Sequence, residues 1–462
     1  MDSRHTSKLS CVQHALAAYA LAACAFGSSA ALAQPSKAVI VVWAGKLLAV
    51  PGQAPLTRQS IVIRDGAIER IASGYLSPAA LGAPPDSVET LDYSALYLLP
   101  GLFDLHVHLT TEPGPSGSLD EVTRTSADLA LIAAANAEKT VQAGFTTVLD
   151  MGTGRRTHEL AIYAVRDAVR AGQLVGPSIL TVGSPICAPG SCRTQRFQPD
   201  VERAVEPQGM CSGADDCRRA VREQIRRGAD AISFFNTGSL LAADAPAQAL
   251  TDEEQRAIVD AAHALHRKAI ADGAGTRASA LGINAAIAAG ADWVDTGIYP
   301  DRATWGLLAR SQGFYAPHLY AVVAAVGDSA QTLNTGSMGW LPQPVLESLW
   351  ALKQERPAAA DALRAGVRMV FASDAGVFAH GRNAGEFGEY VKIGMTPAQA
   401  IATATVNAAR VLGLAGERGT IEAGKRADLI GVAGDPLTDI RRLERVEIVM
   451  LGGRIVKQRS GH

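Results

Sequence analysis

The stretch Leu99-Pro100-Gly101-Leu102-Phe103-Asp104-Leu105-His106-Val107-His108 decides the fold. After a Pro-Gly turn its residues are mostly apolar, which is how a strand buried on both faces reads. Side chains alternate with period two along a strand, so His106 and His108 share a face. Two imidazoles on one face can converge on one cation. His-x-His by itself is a weak signal. It gains weight from Ser373-Asp374-Ala375-Gly376 near the other end, where a carboxylate can bind a metal ion and accept a proton from water. The competing reading of Asp374 is a helix N-cap.

Between these two stretches, strands alternate with helices. Buried-looking strands are predicted at 102–106, 146–151, 178–182, 231–235, 269–272, 293–295, 314–317 and 370–373. Ala-rich amphipathic helices are predicted at 127–143, 159–171, 218–227 and 252–268, and several end in glycine before the next strand. Eight such alternations predict an α/β fold, a (β/α)8 TIM-type barrel, with its chemistry at the C-terminal strand ends. Both termini read differently. Short β runs and turn signals occupy residues 37–98, including the hairpin turn Arg64-Asp65-Gly66, and similar runs recur after residue 428. Neither end holds enough strands for a sheet of its own, so together they predict one small β-sandwich. The expected division is 1–33 leader, 34–98 sandwich, 99–411 barrel and 412–462 sandwich.

Residues 1–33 read as an export signal. Arg4 and Lys8 precede an apolar run from Ala15 to Phe26, and Ala31-Leu32-Ala33 forms a small-x-small cleavage site. About 12 apolar residues are too few to cross a hydrocarbon core of roughly 30 Å. The run Leu21-Ala22-Ala23-Cys24 also resembles a lipobox, which keeps lipid anchoring at Cys24 open. The expected location is periplasmic or secreted, with no transmembrane segment. Four of the six cysteines lie beyond the signal, at Cys187, Cys192, Cys211 and Cys217. In an exported chain, such clustering favours two disulfides pinning a loop over a zinc knuckle, with the pairing open.

Composition excludes other classes. The 462 residues carry 43 basic and 45 acidic side chains, so there is no broad cationic face for nucleic acid. With 48% apolar residues the chain has a core to build, and at 5% aromatic it must build it from aliphatics. A small-molecule substrate is the expected partner. The oligomeric state stays open.

The chain resembles the amidohydrolase superfamily, in its prolidase-like and amide-hydrolase branch. The likeness runs through LLPGLFDLHVHL, GFTTVLDMG, GADAISFFNTGSL, SDAGVFAHGRNAGEF, GMTPAQAIATATVNAARVLGL and GTIEAGKRADLIGVAGDPL. It implies a metal-dependent hydrolase acting on carbon–nitrogen bonds. A two-metal member carries two first-strand histidines, a carboxylated lysine on strand four, histidines on strands five and six, and an aspartate on strand eight. Here Ser233, Asp272 and Thr296 stand at the three middle positions. That leaves His106, His108 and Asp374 to hold one divalent ion, zinc first, with Asp272 or His318 completing the shell. Asp374 would also be the catalytic base. His380, Asn383 and Arg193 are expected to meet substrate, whereas His158, His263 and His266 read as ordinary surface residues. Two rival functions are a catalytically silent barrel that binds a small molecule or partner, and a metal-free enzyme using the same three side chains as acid–base groups.

Overall fold

The computed structural model describes residues 39–115, 120, 123–153, 156–192, 198–204, 206–237, 248–273, 280–295, 301–327, 335–339, 341, 343, 346–347 and 355–459. The leader with Cys24, the segment holding Arg193, and Thr296 lie outside them. Among the described residues no helix is long and apolar enough to cross a membrane.

Three strands near the start, β1 (Val39–Leu47), β2 (Leu56–Arg64) and β3 (Ala67–Ser73), form an antiparallel meander, and Asp65-Gly66 turns it with both φ values positive. Thirteen-residue β4 (Val88–Pro100) runs parallel to β1. From the far end come β12 (Leu429–Val432), β13 (Val446–Leu451) and β14 (Arg454–Gln458), and β12 pairs with β4. One seven-stranded sheet results, ordered β14-β13-β12-β4-β1-β2-β3. Its apolar side buries Val42, Leu47, Ile61 and Leu98 from one end of the chain with Leu429, Ile448 and Met450 from the other.

Parallel strands follow β4. They are β5 (Leu102–Val107), β6 (Phe145–Asp150) and β7 (Ser178–Thr181), then β8 (Ala231–Phe235), β9 (Lys268–Asp272), β10 (Trp293–Asp295) and β11 (Phe314–Ala316). Single bridges join the two sets, Ile186 with Phe234 on one side and Tyr315 with Met369 on the other. The expected eighth strand at 370–373 is an extended segment rather than a laddered strand. Its amides go elsewhere, Phe371 N–H to the Thr403 carbonyl and Ser373 N–H to the Asp104 carboxylate. It still meets β5, through Leu105 N–H to the Phe371 carbonyl and a Val107–Ala375 bridge.

The helices start where capping residues allow. Thr125 opens Ser126–Gln142 with a reciprocal box to Asp128, and Thr251 opens Asp252–Ala264 with one to Glu254. Gly144, just beyond the first, has φ +99° and stacks against Val446 and Ile430 of the terminal sheet, where a Cβ would sit 3.0 Å from the Val446 side chain.

Cys187 pairs with Cys192 and Cys211 with Cys217. The two small loops lie side by side, with Cys211 N–H donating to the Cys187 carbonyl at 3.0 Å. Closing loops this short stabilises by about 2 kcal/mol each in the chain-entropy view. Thiol titration of unreduced, denatured protein from an exported fraction is expected to find no free thiol at these four positions. Four free thiols there would contradict the pairing.

Candidate active site

All six residues of β5 are buried, and strand alternation sends His106 and His108 to one side. At the other edge, Asp374 adopts φ +61°, a left-handed conformation that aspartate tolerates better than most residues but that still costs energy. Its amide donates to the His106 carbonyl at 2.9 Å. Two residues on, Gly376 at φ +122° lets the chain pass where a Cβ would lie 2.8 Å from that of His108.

Three donor atoms converge. His106 Nε2 lies 3.1 Å from His108 Nε2, and Asp374 Oδ1 lies 3.5 Å and 3.3 Å from those two nitrogens. Ligands at ordinary Zn–N and Zn–O distances in a tetrahedral shell stand about 3.3 Å apart. Each histidine also has its other nitrogen on an acceptor, His108 Nδ1 on the Gly152 carbonyl at 2.8 Å and His106 Nδ1 3.2 Å from Asp295 Oδ2. Protons assigned to those Nδ1 atoms leave both Nε2 lone pairs aimed at a carboxylate oxygen and at one another. Such an arrangement repels itself unless a cation is shared, so the residues present fit a single metal ion.

Buried polar groups set this geometry. Asp104 accepts from Ser373 N–H and Oγ–H, from Asn383 Nδ2 and from His106 N–H, tying β5 to the last barrel segment. Burial pushes its carboxyl up to about 6 despite those donors. Asp150, at the end of β6, accepts from Leu109 N–H and Gly152 N–H and so fixes the carbonyl that orients His108. Glu386 takes Leu319 N–H and Tyr320 N–H at 3.0 and 2.6 Å, anchoring the helix that begins just after His318.

His318 does join the site. Its ring packs edge-on against His106 with centroids 4.3 Å apart, its Nε2 contacts Asp295 Oδ1, and ligand atoms of His106, His318 and Asp374 lie within 4.8 Å of one another. Asp272 is buried nearby but stays out of that group. Burial pushes its carboxyl up to about 6, partly offset by His106.

Several expectations change. Asn383 is fully buried, donating to Asp104 and Ser373 and accepting from Gly381 N–H, so it braces the site instead of facing substrate. His380 is also buried, between the Thr140 hydroxyl and the His108 carbonyl, and burial lowers its imidazole to about 4. His158 is not a surface residue. It is buried 2.8 Å from the Thr110 hydroxyl, in the loop that follows His108. Asp295 went unnoticed in the sequence, where attention fell on Thr296. An acid closing a barrel strand was the available signal. Burial would raise the Asp295 carboxyl, yet His318 and His106 hold it below the usual carboxylate range.

Residues 97–456 match the profile of the amidohydrolase family. This chain belongs to that family. Among its relatives, the ochratoxinase of Aspergillus niger is 27% identical over 443 aligned residues, covering 91% of this chain and 87% of that protein. The crystal structure of the same enzyme superposes with a TM-score of 0.76 at 25% identity, over 91% of this chain and 96% of that one. A Xaa-Pro dipeptidase with methionine bound in its active site is 30% identical, with a TM-score of 0.78 over 90% of this chain and 99% of that one. A prolidase complexed with N-methylphosphonate-L-proline gives 0.77 at 25%, over 91% of this chain and 100% of that one. These amidohydrolase neighbours combine a TIM barrel with a β-sandwich domain, and the ring and terminal sheet described above fit that architecture.

Proposed function

We propose that this amidohydrolase is an exported hydrolase that cleaves an amide bond in a dipeptide-like or N-acyl substrate, using one divalent metal ion. One observation carries the reading: His106 Nε2, His108 Nε2 and Asp374 Oδ1 stand 3.1–3.5 Å apart with both Nδ1 atoms on acceptors. The relatives' activities on Xaa-Pro dipeptides and ochratoxin support the substrate class.

Zinc suits the imidazole-rich donor set, and when bound it polarises the scissile carbonyl and makes water more acidic. The remaining work falls to the chain. The Asp374 carboxylate accepts the proton of the attacking water and returns it to the leaving nitrogen. Its left-handed backbone and the neighbouring Gly376 hold that carboxylate against the two imidazoles. Asp104, Asp150 and Asn383 keep both strand ends from drifting. The loop stapled by the two disulfides borders β8 through Ile186 and helps shape the wall of the mouth.

Two ions do not suit this chain. Ser233, Asp272 and Thr296 supply neither the anionic bridge of a carboxylated lysine nor the two further imidazoles. Two cations a few ångströms apart without that bridge repel strongly. The same substitutions favour the second reading, a silent barrel that binds a ligand at the same mouth.

Turnover of N-acyl amino acids and Xaa-Pro dipeptides by zinc-loaded protein, with and without chelator, tests the proposal. Chelator-sensitive hydrolysis is expected. Metal-loaded protein that turns over neither class would contradict it, and hydrolysis indifferent to chelator would point to metal-free acid–base chemistry.

A further inference from the structure

Asp295 ends β10 and lies level with Asp272 of β9 and Ala316 of β11. It is fully buried, and donors approach both of its oxygens. Trp293 Nε1 donates to Oδ2 at 3.3 Å, His106 Nδ1 lies 3.2 Å from the same oxygen, and His318 Nε2 meets Oδ1. No atom of Asp295 belongs to the converging group of His106, His108 and Asp374. It stands behind His106, on the far side of the ring from Nε2.

An ionised carboxylate only accepts, so each imidazole nitrogen facing it carries a proton. For His106 this has a chemical consequence. With Nδ1 protonated toward Asp295, the lone pair sits on Nε2, the atom aimed at His108 and Asp374. With the proton on Nε2, that face could hold no metal ion. The family ligand expected on this strand is lost at Thr296, one residue along, and the strand contributes from behind the ion's site instead of beside it.

We propose that Asp295 is a positioning residue that locks His106 in its Nδ1–H form and seats His318 against it, so that the first-strand pair is preset to bind one divalent cation. The inference rests on the single-ion reading above and adds the group that sets its affinity. An ordinary buried ion pair would stabilise the barrel equally well, but it would not govern metal affinity through the His106 tautomer.

Asp295→Asn separates the two. The amide keeps the size of the carboxylate but has one accepting oxygen and one donating nitrogen, so it cannot accept from both imidazoles. Either the His106 contact breaks or its proton moves to Nε2. Two readouts serve: zinc affinity by competition with a chromogenic chelator, and the 15N histidine spectrum of metal-free protein, with the His106 signals assigned by their loss in His106→Ala. The variant is expected to bind zinc about 10–100-fold more weakly, the usual effect of losing an outer carboxylate partner, and wild-type His106 is expected to show protonated Nδ1. Zinc affinity within twofold of wild type overturns the inference, as does a bare Nδ1 in the wild-type spectrum. Should Asp295→Asn fail to fold, the wild-type spectrum still decides. Should wild-type protein bind no metal, the single-ion reading falls while the tautomer measurement still tests the role of Asp295.

Discussion

His106→Ala is expected to release the metal ion and abolish hydrolysis, with little change in the fold. The imidazole is the hub of the site. Nε2 faces His108 and Asp374, Nδ1 faces Asp295, and the ring packs on His318. Truncation leaves Asp295 and His318 contacting each other and removes one of three converging donors. Losing a direct ligand should cost more affinity than the roughly 10–100-fold typical of an outer partner. Ser233→Ala is the comparison. Its hydroxyl is buried without a hydrogen-bond partner, so its removal should change activity only modestly. Metal content and turnover of the two variants check this, and equal damage from both would argue against a site built on the first strand.

Deleting everything after Gly416 should leave no soluble, folded barrel. Strands β12 to β14 complete the terminal sheet on β4, and Leu429, Ile430, Val432, Ile448, Val449 and Met450 are all buried. Two of them, Ile430 and Val449, pack in the cluster that includes Ala137, Val141 and Phe145 of the barrel. At about 1.5–3 kcal/mol per buried side chain, the loss is on the order of 10 kcal/mol, comparable to the whole net stability of a typical domain. Thermal melting of full-length and truncated chains checks it. A soluble truncated protein with an unchanged transition would show that the two ends fold independently.

Local patterns carried much of this architecture in the sequence. Period two put His106 and His108 on one face, and helix caps with following glycines marked the β–α alternation. The clustered cysteines announced a stapled loop, although only the folded chain shows that each partner is five or six residues away. Groups brought together over long separations were not legible. Asp104 and Asn383 are 279 residues apart, and nothing near Asn383 says that its amide is spent on a buried carboxylate. His380 misled for the same reason, since its partners are Thr140 and the His108 carbonyl. Asp295 escaped notice because the pattern of ligands directed attention to the next position, Thr296. The eighth strand was legible as an extended, buried run, but not as one whose amides bond to Asp104 and Thr403.

The central claim is that one metal ion, and only one, is held by His106, His108 and Asp374. Elemental analysis of the purified full chain, saturated with zinc and freed of loosely bound metal, tests it most directly. One ion per chain, lost in His106→Ala, is the result expected here. Two ions per chain would contradict the account, and none would make this barrel a binding protein instead of a metal-dependent hydrolase.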